Sequence, residues 1–179
     1  EVYNGALQRM SQAVTEMGGT IGALMGDGMM AIFGAPIAHE DDPERAALAG
    51  LAILDAMQGY LPLHGKPLQV RVGINTGRVM MGEMGGFGRT VYTAVGDTVN
   101  LAQRLESAAQ PNTVLVGEST WKYLAHRFES EPLGAISVKG LKSPVAVFRM
   151  IAPKSDPTSG RGLAHGAEVR APVHEVLAH

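Results

Sequence analysis

Two short apolar runs, Thr20–Met25 and Met29–Phe33, are joined by Gly26-Asp27-Gly28. Asp-Gly between apolar runs is a strong hairpin signal, because a tight turn needs positive φ. These strands are therefore committed to antiparallel pairing. Helical patterns lie on both sides of the hairpin. Leu7, Met10, Val14 and Met17 recur at helical spacing over residues 4–17, and Gly18-Gly19 ends that run. Beyond a loop with Pro36, Asp42-Pro43 opens a second helix, with Asp as N-cap and Pro at the first helical position. Ala47, Leu48, Leu51, Leu54 and Met57 give it one apolar face, and it stops near Gly59 or Pro62.

The remaining elements follow the same logic. Leu68–Ile74 alternates and is β-branched, and Asn75-Thr76-Gly77 is expected to turn it into a strand over Arg78–Met81. Thr90–Val95 reads as another strand. Asp97 caps a helix from Val99 to Ala108, Thr113–Val116 is a short strand, and Ser119 starts a short helix through Tyr123. Ile136–Val138 and Val145–Met150 make a last hairpin across residues 140–144. The glycine-rich 82–88 segment lacks the Lys-Ser/Thr of a phosphate loop and reads as a flexible loop. Strands joined mostly by hairpins predict an α+β domain with a mixed, mostly antiparallel sheet flanked by helices, not a Rossmann sheet.

Bulk properties narrow the function. The 179 residues make one ordinary domain with a short tail, and 45% are hydrophobic. A net charge of −2 with scattered basic residues speaks against nucleic acid or an anionic membrane as partner. No run reaches the roughly 18 apolar residues of a membrane-spanning helix. Cysteine is absent, which excludes disulfides, thiol nucleophiles and thiolate metal sites. The expected compartment is the cytoplasm. Residues 153–179 are rich in Gly, Pro, Ser and His and are expected to be a linker or flexible tail after a domain at 1–152.

Three places could carry chemistry, each with a plainer alternative. Asp27 puts a carboxylate on the hairpin tip, where it could ligate Mg²⁺ alongside phosphate oxygens. It could equally do no more than serve the turn. Asn100 and Arg104 lie four residues apart on one helix face. They could orient a ribose and hold a phosphate, or belong to a solvated face with Arg104 paired to Glu106 or Glu83. Lys139, in Val138-Lys139-Gly140, could reach a phosphate or be a surface lysine at a bend.

Four segments, in order, change the balance. They are Gly18-Gly19-Thr20-Ile21 with the run from Gly26-Asp27-Gly28 to Gly34-Ala35-Pro36, then Val70-Arg71-Val72-Gly73-Ile74-Asn75-Thr76-Gly77. Tyr92-Thr93-Ala94-Val95-Gly96-Asp97-Thr98-Val99-Asn100-Leu101-Ala102-Gln103-Arg104-Leu105-Glu106 follows, and Val138-Lys139-Gly140 with Pro144-Val145 is last. Together they resemble class III adenylyl/guanylyl cyclase catalytic domains of bacterial type, over roughly residues 4–150.

The resemblance implies the ferredoxin-like nucleotide-cyclase fold and conversion of ATP, with GTP as the alternative, to a cyclic nucleotide and pyrophosphate. It implies two Mg²⁺ or Mn²⁺ ions per site, with Asp27 matching the second metal-binding aspartate. The first lies on a strand and helix that precede this sequence, so the domain is expected to be incomplete at its N-terminus. It implies a homodimer or a partner cyclase domain whose Asn100 orients the ribose and whose Arg104 stabilises the transition state. Lys139 matches a phosphate-binding lysine, and Thr93 a position that helps read the base. The family usually has Lys four residues before the hairpin Asp, to read adenine. Here that place is Ala23, which cannot donate a hydrogen bond. A degenerate cyclase-homology domain that regulates by binding nucleotide or a partner is the alternative. A diguanylate cyclase is disfavoured, because the turn reads Met25-Gly26-Asp27-Gly28-Met29.

Overall fold

A computed structural model describes residues 2–60, 65, 67–86, 89–137, 142–155 and 173–178. In chain order the elements are α1 (Val2–Glu16), β1 (Thr20–Met25), β2 (Gly28–Phe33), α2 (Asp42–Gln58), β3 (Arg71–Gly77), β4 (Met80–Gly86) and β5 (Arg89–Val95). They continue with α3 (Asp97–Ala108), β6 (Thr113–Gly117), α4 (Glu118–Leu124), β7 (Phe128–Ile136), β8 (Val145–Pro153) and β9 (Val173–Ala178). Seven strands form one sheet in the order β1-β2-β9-β3-β6-β8-β7, and β4 and β5 make a separate two-stranded ribbon. Among the described residues only β3 and β6 pair in parallel. This is the α+β, mixed and mostly antiparallel architecture expected from the hairpins.

The sheet is covered on both faces, and the strands show it residue by residue. Met29, Ala31 and Phe33 of β2 join Met10, Val14, Ala47, Ile53 and Met57 in the cluster beneath α1 and α2. The alternate residues Met30 and Ile32 join Ala94 of β5 and Ala102 of α3 on the other face. Period two sends successive side chains to opposite faces, so a strand buried on both sides reads as a continuous apolar run. On β3, Val72 and Ile74 face α2, while Gly73, Asn75 and Gly77 lie under α3. A Cβ at Gly73 would stand 2.3 Å from the Glu106 nitrogen and 2.4 Å from the Ala102 oxygen. The backbone of α3 therefore rests on the strand.

Several expectations are corrected. The hairpin turn is Gly26-Asp27, with Met25 opposite Gly28. Gly26 takes the positive φ, +66°, and Gly28 begins β2 instead of completing the turn. Asn75-Thr76-Gly77 does not turn but ends β3, because the Asn75 side chain is used to bind α3 and its backbone stays extended. Residues 82–86 are not a loop: Gly82 to Gly86 pair with Thr93 to Arg89. β7 starts at Phe128, well before the expected strand, and accepts Pro132 because it is an edge strand with a bulge between Pro132 and Ala135. Lys139 and its neighbours lie outside the described residues.

The largest correction concerns the tail. Residues 173–178 are not linker; as β9 they run antiparallel between β2 and β3, with Ala178 opposite both Met29 and Val72. The physical reason is backbone demand. β2 and β3 do not pair with each other, so each presents a row of N–H and C=O groups that a strand between them satisfies. Composition cannot reveal this, because the partners lie about a hundred residues away or more.

Two outcomes are expected. Deleting residues 156–179 should strip hydrogen-exchange protection from the β2 and β3 amides that face β9 and promote aggregation through the open edges; unchanged protection in both strands would show that β9 is not their partner. Gly73→Ala should destabilise the fold by about 1–3 kcal/mol in chemical denaturation, since the obstacle is helix backbone that cannot swing away. A neutral result would mean that α3 is not seated as described.

Candidate active site

The site is built from a hairpin tip and a helix face. Asp27 is exposed at the β1–β2 turn, which is short enough to hold its backbone firmly. It borders a cavity of about 450 Å³ together with Gln69, Arg71, Glu106 and Ser107. An adjoining cavity of about 380 Å³ is lined by Asn100, Gln103, Arg104, Glu106 and Ser107. The two share Glu106 and Ser107. Hence the carboxylate of Asp27 and the amide–guanidinium pair of α3 open onto one continuous face of the chain. Each volume falls in the range of small-molecule clefts, about 300–1,000 Å³.

Helix α3 gains its functional face from its apolar one. Leu101, Ala102 and Leu105 are buried, which rotates Asn100, Gln103 and Arg104 outward. Asn100 and Arg104 are one turn apart, and among the described residues neither side chain makes a hydrogen bond or ion pair. Of the two partners considered for Arg104, Glu106 is therefore not paired with it, and the side chain of Glu83 lies outside the described residues. Glu106 is itself buried to 8% exposure and accepts a hydrogen bond from the Ser107 hydroxyl at 3.3 Å. With no partner among the described residues, the exposed guanidinium keeps its planar fork for an incoming anion.

The other expected residues are placed differently. Ala23 is half-buried and packs in the cluster of Met30, Ile32, Ala94 and Ala102, so it fills space and offers no hydrogen bond. Thr93 lies on β5 opposite Gly82. Lys139 is outside the described residues. Arg71 and Gln69 line the Asp27 cavity and were not singled out by sequence reasoning. The signal that would have found Arg71 is its place at the first position of β3, on the strand end beside the hairpin tip.

A divalent cation is compatible with Asp27 as one oxygen donor. The described residues contain no group of three or more His, Asp or Glu able to hold a metal by themselves. Mg²⁺ needs no such cage, since it commonly takes one or two carboxylates and completes its shell with water and substrate phosphate oxygens.

Comparison with known proteins decides the family. Residues 5–152 match the family described as the adenylate and guanylate cyclase catalytic domain. The chain belongs to that family. It is similar to adenylate cyclase 1 of Rhizobium meliloti, 31% identical over 147 residues that cover 79% of this chain and 22% of that protein. It is similar also to the soluble guanylate cyclase subunit beta-2 of Rattus norvegicus, 34% identical over 158 residues, 85% of this chain and 23% of that subunit. Among solved structures, the guanylyl cyclase Cya2 superposes with a TM-score of 0.78 at 32% identity, over 88% of this chain and 82% of that one. This cyclase domain thus spans less than a quarter of the length of the curated relatives it matches here. No helix among the described residues is long and apolar enough to cross a membrane.

Both α3 side chains are exposed and make no hydrogen bond or ion pair among the described residues, so their removal should leave the fold intact. Asn100→Ala and Arg104→Ala are expected to unfold within about 0.5 kcal/mol of the parent in urea. A loss well above 1 kcal/mol in either would reveal a structural duty that the geometry does not show.

Proposed function

We propose that this domain converts a nucleoside triphosphate, ATP first and GTP as the alternative, into the 3′,5′-cyclic monophosphate and pyrophosphate, in the cytoplasm, at a site shared by two cyclase domains. One observation carries the reading. Asn100 and Arg104 stand exposed one turn apart on α3 with no side-chain partner among the described residues, and Asp27 stands exposed at the β1–β2 turn. With two such domains face to face, the carboxylate of one and the amide and guanidinium of the other match the three demands of the reaction: a cation, an oriented sugar and a neutralised phosphate.

In this reading Asp27 supplies one ligand to a pair of Mg²⁺ or Mn²⁺ ions. Such ions, when bound, make the ribose 3′-hydroxyl more acidic and neutralise the triphosphate. The Asn100 side-chain amide hydrogen-bonds the ribose and aligns the 3′-oxygen with the α-phosphorus. Arg104 donates to the oxygens that gain charge as the 3′-oxygen bonds to phosphorus and the bond to pyrophosphate breaks. Asn100 and Arg104 of one domain serve the Asp27 of the other, which makes a homodimer or a pair with another cyclase domain obligatory. Lys139 assists the phosphates. Thr93 contacts the base, and Ala23 leaves its neighbouring edge without a hydrogen-bond partner.

That last feature favours a second reading. A degenerate domain that binds nucleotide or a partner without turnover needs no base-reading lysine, and Ala23 is packed among apolar side chains.

The test is cyclic nucleotide formation by the longest natural form of the protein that carries this chain, with Mn²⁺ and either ATP or GTP. Turnover is expected, and Arg104→Ala should lower it by about 100-fold or more, as loss of one transition-state donor does elsewhere. Asp27→Ala should do at least as much. A folded, dimeric protein that makes no product from either nucleotide would leave the regulatory reading in its place.

A further inference from the structure

Asn75 is buried to 2% exposure in the middle of β3. Its Nδ2 donates to the Thr98 carbonyl in the first turn of α3 at 3.1 Å. Its Oδ1 accepts from the Ser119 hydroxyl of α4 at 2.7 Å. The residues flanking it on the same strand face have no side chains. A Cβ at Gly73 would collide with the α3 backbone, and one at Gly77 would lie 2.5 Å from Thr98 Oγ1. Gly73, Asn75 and Gly77 therefore form a track, spaced by the two-residue strand period, on which α3 lies.

A track of two glycines gives close approach but no resistance to sliding. The polar contacts give that resistance. Thr98 is held from two sides, by Asn75 at its carbonyl and by its own hydroxyl, which donates to the Arg78 carbonyl at 2.7 Å. Ser119 fixes which way the Asn75 amide points, because a hydroxyl that donates to Oδ1 leaves Nδ2 for Thr98. Asn100 and Arg104 follow two and six residues later on the same helix. Any displacement of Thr98 along β3 is carried rigidly to both.

We infer that Asn75 is a positioning residue for cyclisation: it sets where α3 stands on the sheet, and thereby where Asn100 and Arg104 meet the nucleotide. Asn75 is enclosed by β3, α3 and α4 at 2% exposure, which leaves it no surface for a ligand. Its effect passes wholly through the helix. Misplacement of catalytic groups by about 1 Å can cost about 100-fold in rate. The kinetic part of this inference rests on the cyclase reading; the placement of α3 rests on geometry alone.

Two measurements test it. The first is kinetic, on the full protein with Mn²⁺ and its preferred nucleotide, at a temperature where circular dichroism shows every variant folded. Asn75→Ala should lower kcat by about 10–100-fold with much less change in KM. In a background that carries both Asn100→Ala and Arg104→Ala the same substitution should cost far less, since both groups it positions are gone. Ser119→Ala, which removes only the orienting hydroxyl, should show the same pattern at smaller size and guards against a variant that fails to fold. Equal losses of kcat in both backgrounds, or an unchanged kcat, would overturn the inference. The second is spectroscopic and needs no turnover. Asn75→Ala should move the backbone amide resonances of residues 98–104 while those of β7 and β8 stay in place. Unmoved α3 resonances would overturn the inference whatever the activity. A parent protein that makes no cyclic nucleotide would sink the cyclase reading, and the resonances would still decide whether Asn75 positions α3.

Discussion

The hairpin that carries Asp27 and the strand that seats α3 are joined in the sheet only through β9. β2 bonds to one edge of β9 and β3 to the other. Neighbouring strands stand about 4.8 Å apart, so one intervening strand fixes the separation of β2 and β3 at close to 10 Å. That spacing decides how far the hairpin tip stands from the helix face, and hence whether their cavities meet. They do meet, at Glu106 and Ser107. The layers reinforce the same distance. α1 and α2 cover one face with a cluster that includes residues of both β2 and β3, and the β4–β5 ribbon with α3 closes the other.

Within that frame the division of labour follows from exposure. The buried side chains near the site are structural: Asn75, Thr98 and Thr120 are 2%, 9% and 0% exposed and bond within the protein. The exposed ones, Asp27, Asn100 and Arg104, are those proposed to meet the nucleotide and its metal ions. A buried amide left without a partner would be costly, which explains why Asn75 finds both a donor and an acceptor. An exposed guanidinium left without a partner costs little, because water solvates it until an anion arrives. Function is thereby separated from stability at adjacent positions of the same elements.

Much of this was legible in the chain. The hairpin around Asp27, the helices at 4–17 and 42–59, and the pairing of Asn100 with Arg104 on one helix face all follow from local rules of turn chemistry and periodicity. The errors have a common cause. Asn75-Thr76-Gly77 has the composition of a turn, and residues 82–86 that of a loop, because propensity counts how often a residue type breaks a strand. It takes no account of a helix that needs a flat strand to rest on or of a partner strand across a ribbon. Tertiary contact overrides propensity at such places. Ala23 shows the converse. Its spacing from Asp27 marked it as a base-reading position, but only the packed cluster around it reveals that it fills space.

By itself the sequence determined the helices at 4–17, 42–59 and 99–108, the presence of a hairpin at Asp27 and the family resemblance, because each depends on residues close in the chain and on a fixed period. Only the tertiary structure decided that 173–178 enter the centre of the sheet, that Gly73, Asn75 and Gly77 form the seat of α3, and that the Asp27 cavity adjoins that of Arg104. Each of these joins groups far apart in sequence. Such joins are set by which backbone edges remain unpaired and which surfaces can approach without a side chain between them, and no local pattern carries that information.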